Sequence, residues 1–176
     1  MLVREGFDLF VAERLDRLLR YATALTCDSH LAEDIVQEVL LRAQPRWSRI
    51  ESLQSPDLYV RRMVTNEYLS WRRRRAAKEI SSEHHTLNAL GTPTSDVAVQ
   101  HAERAAMRAL IAKLPRKQRA AILLRYYEDR TDSEIAEVLG CGTGTVRSHL
   151  SRALRTLRAA GIAGGYSESS AKEAWA

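Results

Sequence analysis

The 176-residue chain has little cysteine, few aromatic residues and no long apolar run. Its two cysteines, Cys27 and Cys141, lie far apart and form no CxxC pair, which argues against a disulfide framework and against a zinc site. No stretch approaches the roughly 18 apolar residues of a membrane span, and the charged start does not resemble a secretory signal. We therefore expect a cytoplasmic protein that is not inserted in a membrane.

Basic residues outnumber acidic ones, with 27 Lys and Arg against 22 Asp and Glu and a formal net charge of +5. The excess is concentrated after residue 100, where 13 basic side chains face 8 acidic ones, whereas residues 77–100 are weakly acidic. Such a balance favours a polyanionic partner, and nucleic acid is the natural one for a cytoplasmic chain. A charge of +5 is also ordinary for a small soluble protein, so charge alone leaves both interpretations open.

Apolar residues recur at helical spacing through most of the chain, and no segment alternates like a β-strand. This pattern predicts an all-α fold of two small helical lobes joined by a flexible linker. We place the first lobe at residues 5–76, the linker at 77–100, the second lobe at 101–160 and a disordered tail at 161–176. Within the first lobe we expect helices over about 7–25, 31–43 and 59–75 and a loop over 46–57.

A helix-turn-helix pattern lies between Thr131 and Leu157. Thr131 and Glu134 have the identity and spacing of a capping box, and Gly140 stands where a left-handed residue ends a short helix. A longer helix follows, and its apolar positions share one inner face: Val146, Leu150, Ala153, Leu154 and Leu157. Two helices joined by a glycine-containing turn are typical of a DNA-binding helix-turn-helix.

The opposite face of this second helix carries short hydroxyls and arginines, which suit phosphate oxygens and guanine edges in the major groove. No acidic residue occurs from Gly142 to Ile162, whereas a merely solvated helix face would normally mix in Glu and Lys. DNA binding is therefore the favoured interpretation. The candidate residues are Thr145, Arg147, Ser148, His149, Ser151, Arg152 and Arg155.

Two segments of the first lobe carry further candidate surfaces. Asp34, Gln37 and Glu38 fall at i, i+3 and i+4 of a helix, so they share one patch, which is either a plain charged face or a docking site for a basic partner. The helix over 59–75 interleaves basic, amide and aromatic groups, a combination that can hold a melted DNA strand. A basic helix end with Trp71 in the core is the alternative interpretation.

Four motifs stand in an order and spacing that resemble the extracytoplasmic-function (ECF) group of the sigma-70 family, the sigma factors of bacterial RNA polymerase. They are Ala32-Glu33-Asp34-Ile35-Val36-Gln37-Glu38-Val39, the helix from Tyr59 to Arg75, Leu114-Pro115-Arg116-Lys117-Gln118-Arg119, and Glu134-Ile135-Ala136-Glu137-Val138-Leu139-Gly140-Cys141 followed by Gly144-Thr145-Val146-Arg147-Ser148. The resemblance covers about residues 5–160. It implies a sigma factor that binds core polymerase and recognises −10 and −35 promoter elements, with no enzymatic activity and no cofactor of its own.

The resemblance also implies a role for each surface. Asp34, Gln37 and Glu38 would dock on the clamp helices of the polymerase's largest subunit. The second lobe would read the −35 element through the seven residues named above and would contact the flap of the second-largest subunit. The 48–57 loop and the helix after it would capture the −10 element, through Arg61, Asn66, Trp71, Arg72, Arg73 and Arg74.

The alternative function is a stand-alone helix-turn-helix regulator, which would bind palindromic duplex sites as a dimer without polymerase. The first lobe shows no apolar heptad seam for dimerisation, and this argues against the alternative. A basic two-lobe chain with a flexible joint also suits capture by an anti-sigma protein, a partner that the sequence leaves open.

Overall fold

A computed structural model of the chain describes residues 2–78 and 96–160, with side chains over 5–71 and 105–160. The chain divides into two compact units, one centred on the residues before the gap and one on those after it. Every regular element in the two described ranges is helical, which confirms the all-α prediction. None of these helices combines the length and the hydropathy needed to cross a membrane. The predicted tail and most of the predicted linker lie outside the described residues.

The first lobe consists of three long helices and one short one. They are α1 (Leu2–Thr26), α2 (Ser29–Ala43), α3 (Trp47–Glu51) and α4 (Pro56–Lys78). The carboxylate of Asp28 caps α2 by accepting a hydrogen bond from the Leu31 N–H at 3.2 Å. The three long helices pack on one another around a buried core that includes Leu18, Tyr21, Leu25, Ile35, Val36, Val39, Val60, Val64 and Tyr68.

The segment 46–57 is largely helical, so the predicted loop there is wrong. A 3-10 turn, Gln44–Arg46, leads directly into α3, and only residues 52–55 separate α3 from α4. Trp47 and Ile50 are both buried, and their spacing of three residues places them on the same face of α3. The Trp47 ring meets Phe7 edge-on with 5.4 Å between centroids, and it meets Phe10 at 4.7 Å.

The second lobe has four helices in the described range. They are α5 (Asp96–Lys113), α6 (Arg116–Ile122), α7 (Asp132–Leu139) and α8 (Thr143–Ala159), and a π-helical turn, Leu123–Tyr127, follows α6. Pro115 stands immediately before α6, at a helix start, where a residue without an N–H leaves no helical hydrogen bond unmade. α6 packs on α8 and supports it from the inner side.

One arginine of α6 acts inside the second lobe. Arg119 is buried, and its guanidinium donates hydrogen bonds to the carbonyl of Ile111 at 3.1 Å, to that of Leu114 at 3.4 Å and to that of Ala112. The last carbonyls of a helix have no partner within the helix. Arg119 gives the carbonyls of Ile111 and Ala112 in the last turn of α5, and that of Leu114 just after it, a charged donor and thereby stabilises the turn into α6.

The helix-turn-helix is formed as predicted. Thr131 Oγ1 accepts a hydrogen bond from the Glu134 N–H at 3.3 Å, and the Glu134 carboxylate accepts one from the Thr131 N–H at 2.8 Å. Gly140 has a φ of 61°, the left-handed conformation that favours glycine after a helix. On α8 the predicted inner face is confirmed, with Leu154 half-buried and the other four residues buried: Val146, Leu150, Ala153 and Leu157.

Candidate nucleic-acid and polymerase interfaces

The face of α8 opposite its buried stripe is open to solvent and carries no carboxylate. Three arginines and three hydroxyl side chains share this surface, so it can hold phosphates and still reach base edges. Of the seven predicted −35 residues only His149 is half-buried, and the others are exposed: Thr145, Arg147, Ser148, Ser151, Arg152 and Arg155.

His149 on α8 is influenced by the positive charge of Lys117 at the start of α6. Its burial, together with the positive charges of Lys117 and Arg152, holds the pKa of His149 below its usual value. The lowered pKa favours the neutral imidazole, so the positive charge of the face comes mainly from its arginines. Lys117 is exposed and lies near enough to His149 to shift its pKa, so the basic surface extends from α8 onto α6.

The residues predicted to bind the −10 element do not share one surface. Asn66 is exposed, Trp71 is half-buried and Arg61 is completely buried. Arg61 and Asn66 are five positions apart on α4, which separates them by about 140° at about 100° per residue, so they face different sides. The side chains of Arg72, Arg73 and Arg74 lie outside the described residues.

Arg61 belongs to an internal polar network that ties α4 to α1. Its Nε donates to Oδ2 of Asp57 at 2.9 Å, and its guanidinium carbon lies 5.5 Å from the ring centroid of Tyr21. The hydroxyls of Tyr21 and Thr65 lie 2.9 Å apart, and Thr65 Oγ1 donates to the Arg61 carbonyl, also at 2.9 Å. In this structure Arg61 supports the helix from inside the lobe and does not present its guanidinium to solvent.

The acidic patch on α2 has the geometry that its spacing predicts. Asp34, Gln37 and Glu38 are all exposed, while the intervening positions of α2 point into the core. Beside the patch an open groove of about 440 Å³ runs between α1 and α2, with Glu33 and Gln37 at its polar edge. Its apolar lining consists of Phe7, Leu15, Leu19, Val36, Leu40 and Leu41.

The sequence matches the family models of Sigma-70 region 2 over residues 10–78 and of Sigma-70, region 4, over residues 104–157. It is 38% identical over 152 residues to the RNA polymerase sigma-E factor of Streptomyces coelicolor, a match that covers 86% of this chain and 84% of that protein. It is 34% identical over 149 residues to the ECF RNA polymerase sigma factor SigL of Mycobacterium tuberculosis, covering 80% of each. The chain belongs to the ECF group of the sigma-70 family.

The fold of this sigma factor also matches a solved one. The sigma factor RpoE of Bartonella quintana, crystallised in complex with the anti-sigma factor NepR, superposes with a TM-score of 0.70 and 22% sequence identity, covering 88% of this chain and 96% of that chain. In this sigma factor, region 2 comprises most of α1 and all of α2 to α4, and region 4 comprises most of α5 and nearly all of α8 with the helices between them.

Sequence reasoning missed two basic residues of this sigma factor. Lys117 was part of a recognised motif, but its nearness to His149 depends on the packing of α6 against α8. Arg42 stands four residues after Glu38, a helical spacing that is visible in the sequence. Its second contact, a hydrogen bond to Glu67 on α4, joins positions 25 residues apart and appears only in the structure.

Proposed function

We propose that this sigma factor docks on core RNA polymerase through the acidic patch of its first lobe, reads the −10 element with the same lobe and reads the −35 element with α8. The observation that carries the proposal is the exposed, acid-free face of α8 in a chain whose other lobe exposes a cluster of carboxylates and amides. The first surface suits DNA phosphates and base edges, and the second suits a basic protein.

The proposed docking site combines the patch with the groove beside it. Asp34, Gln37 and Glu38 supply acceptors for basic side chains, and Leu41, which is 59% exposed, supplies apolar contact at the groove. Interfaces of this kind bury an apolar centre inside a polar rim. We assign this surface to the clamp helices of the polymerase's largest subunit, and we assign contact with the flap of the second-largest subunit to the second lobe.

For the −10 element we assign direct contact to Asn66 and to the loop 52–55, where Leu53 is 39% exposed. Arg61 takes a supporting role, because its buried guanidinium orients α4. Arg72, Arg73 and Arg74 remain proposed phosphate contacts on the strength of the sequence. Trp71 remains a proposed base-stacking residue at the edge of the lobe.

Promoter opening in this proposal requires no catalytic step on the chain. Capture of unstacked bases by the first lobe would offset an unstacking cost of a few kcal/mol, about the energy of a few good contacts. We therefore propose a transcription factor without enzymatic activity or cofactor that acts in the cytoplasm with the polymerase. An anti-sigma protein is a further proposed partner, since it could mask either surface.

The docking assignment is tested by retaining core polymerase on immobilised sigma factor. Asp34→Arg should lose the polymerase, because it places a positive charge in a patch proposed to meet a basic surface. Glu13→Arg makes the same charge change at an exposed position of α1 and serves as the matched control. Retention of polymerase by Asp34→Arg at the wild-type level would contradict the assignment.

A second experiment separates the sigma factor from a stand-alone regulator. The regulator would bind a palindromic duplex as a dimer in the absence of polymerase. The proposed sigma factor should instead select promoters only after it has bound core polymerase. Sequence-specific dimeric binding without polymerase would favour the regulator.

A further inference from the structure

One guanidinium in the first lobe joins the docking helix to the helix that presents Asn66. Arg42, in the last turn of α2, donates a hydrogen bond from Nη2 to Oε2 of Glu67 on α4 at 2.5 Å. Its Nε lies 3.4 Å from the Glu38 carbonyl oxygen and also 3.4 Å from Glu38 Oε1. Arg42 therefore contacts both a residue of the acidic patch and a residue of α4.

The two carboxylates that meet this guanidinium differ in exposure. The Glu67 side chain is 7% exposed, whereas that of Glu38 is 56% exposed. Separating a buried carboxylate from a charged partner is costly, so the contact between Arg42 and Glu67 is the firm one. The contact with Glu38 is screened by solvent and weak. A basic group of a protein partner can therefore replace Arg42 at Glu38 while Arg42 stays bound to Glu67.

Glu67 immediately follows Asn66, the exposed residue to which we assign −10 contact. Its contact with Arg42 therefore ties α4 to α2 next to the exposed side chain of Asn66. A displacement of about 1 Å at a group that positions a reactant can cost about a hundredfold in rate. Loss of the contact between Arg42 and Glu67 would therefore act on Asn66, although Arg42 and Asn66 lie on different helices.

We propose that Arg42 is a positioning residue for promoter opening, which holds α4 in register with α2 through Glu67. Polymerase bound at Glu38 and DNA bound at Asn66 are then aligned by one guanidinium. This inference rests on the proposed function of the two surfaces. Arg42 acts through Glu67 and is not itself assigned a contact with DNA.

The test compares three properties of the reconstituted holoenzyme on a promoter mapped from its own transcripts. They are the affinity for core polymerase, the binding of the −35 duplex, and the rate of −10 opening, which 2-aminopurine placed in the −10 element reports by fluorescence. The variants are Arg42→Met, Arg42→Lys and Glu67→Gln, and Arg20→Met at an exposed position of α1 is the matched control. Every variant is assayed at a temperature at which its tryptophan fluorescence shows a folded first lobe.

We expect Arg42→Met to slow opening about tenfold or more while it leaves core affinity and −35 binding within about twofold of wild type. Arg42→Lys should recover part of the opening rate, because lysine keeps the positive charge but lacks the planar guanidinium group with its several donors. Arg42→Met combined with Glu67→Gln should be no slower than the worse single variant, because both remove the same contact.

Two results would overturn the inference. Wild-type opening by Arg42→Met would show that α4 does not depend on this contact. Parallel losses of core affinity and of opening would make Arg42 a polymerase contact and not a positioning residue. Failure of the proposed function is separate, because it would appear as a wild-type protein that gives no −10 opening at all.

Discussion

Replacement of Arg61 by methionine distinguishes a supporting role from a DNA-contacting one. The guanidinium is completely buried, is paired with Asp57 through Nε at 2.9 Å and lies over the Tyr21 ring. Methionine fills a similar volume without charge, so Arg61→Met removes the polar contacts and leaves little cavity. We expect this change to destabilise the first lobe and to alter DNA binding only through that loss.

The size of the effect follows from the contacts. Breaking a buried charge pair by removing one partner costs about 3–5 kcal/mol, and a cation–π contact adds about 0.5–2 kcal/mol. Asp57 is partly exposed, so water recovers some of this cost, and we expect a net loss of about 3 kcal/mol. For a lobe of this size that corresponds to a fall in Tm of about 12–24 °C.

Tryptophan fluorescence follows the first lobe in a Trp175→Phe background, because the other two tryptophans of the chain, Trp47 and Trp71, both lie in that lobe. Urea and thermal unfolding of Arg61→Met are compared with those of Asn66→Ala, a change at an exposed position of the same helix. Asn66→Ala should lose −10 binding and keep its stability within about 0.5 kcal/mol. Wild-type stability with lost −10 binding in Arg61→Met would refute the supporting role.

Three further variants test the second lobe. Arg119→Met should lower its unfolding free energy by about 2–4 kcal/mol, because buried carbonyls at the end of α5 lose a charged donor, and an unchanged urea midpoint by circular dichroism would contradict this. The hydrogen bond from the Thr131 N–H lowers the pKa of Glu134, so the stability it adds is present above about pH 4.5 and is lost as pH falls through the lowered pKa. The difference between wild type and Glu134→Gln should therefore shrink under acid conditions, and a difference that does not change with pH would argue against the capping role. Arg152→Ala should weaken −35 binding by about 1–3 kcal/mol if Arg152 contacts a guanine. If Arg152 contacts a phosphate, the change should instead reduce the slope of log binding constant against log salt concentration by about one. Arg158→Ala, at the far end of the same helix, is the control, and unchanged affinity and salt slope for Arg152→Ala would remove that residue from the site.

The helix-turn-helix could be predicted from the sequence because its determinants are local. The capping box of Thr131 and Glu134 spans four residues, and Gly140 ends α7 by its own backbone conformation. The apolar stripe of α8 repeats within one helix and marks the opposite face as exposed. The same holds for Asp34, Gln37 and Glu38, whose shared patch follows from helical spacing alone.

The parts of the fold and of the candidate site that the sequence does not predict depend on contacts between distant residues. α3 forms around Trp47, whose partners Phe7 and Phe10 lie about forty residues earlier, so the local sequence of 46–57 still looked like a loop. The resemblance implies a −10 contact for Arg61, and the burial of its guanidinium is unexpected because arginine is almost never fully buried unless it is paired. The sequence shows its partner Asp57 at helical spacing, four residues before Arg61. It does not show the Tyr21 ring, which lies on another helix and completes the environment of the guanidinium.

The most direct test of the central claim is a run-off transcription assay on sheared genomic DNA. Core polymerase alone is compared with core polymerase plus this sigma factor, and the 5′ ends of the new transcripts are sequenced. We predict new start sites that share two upstream elements at a fixed spacing. A folded sigma factor that binds core polymerase and yields no new start sites would contradict the account.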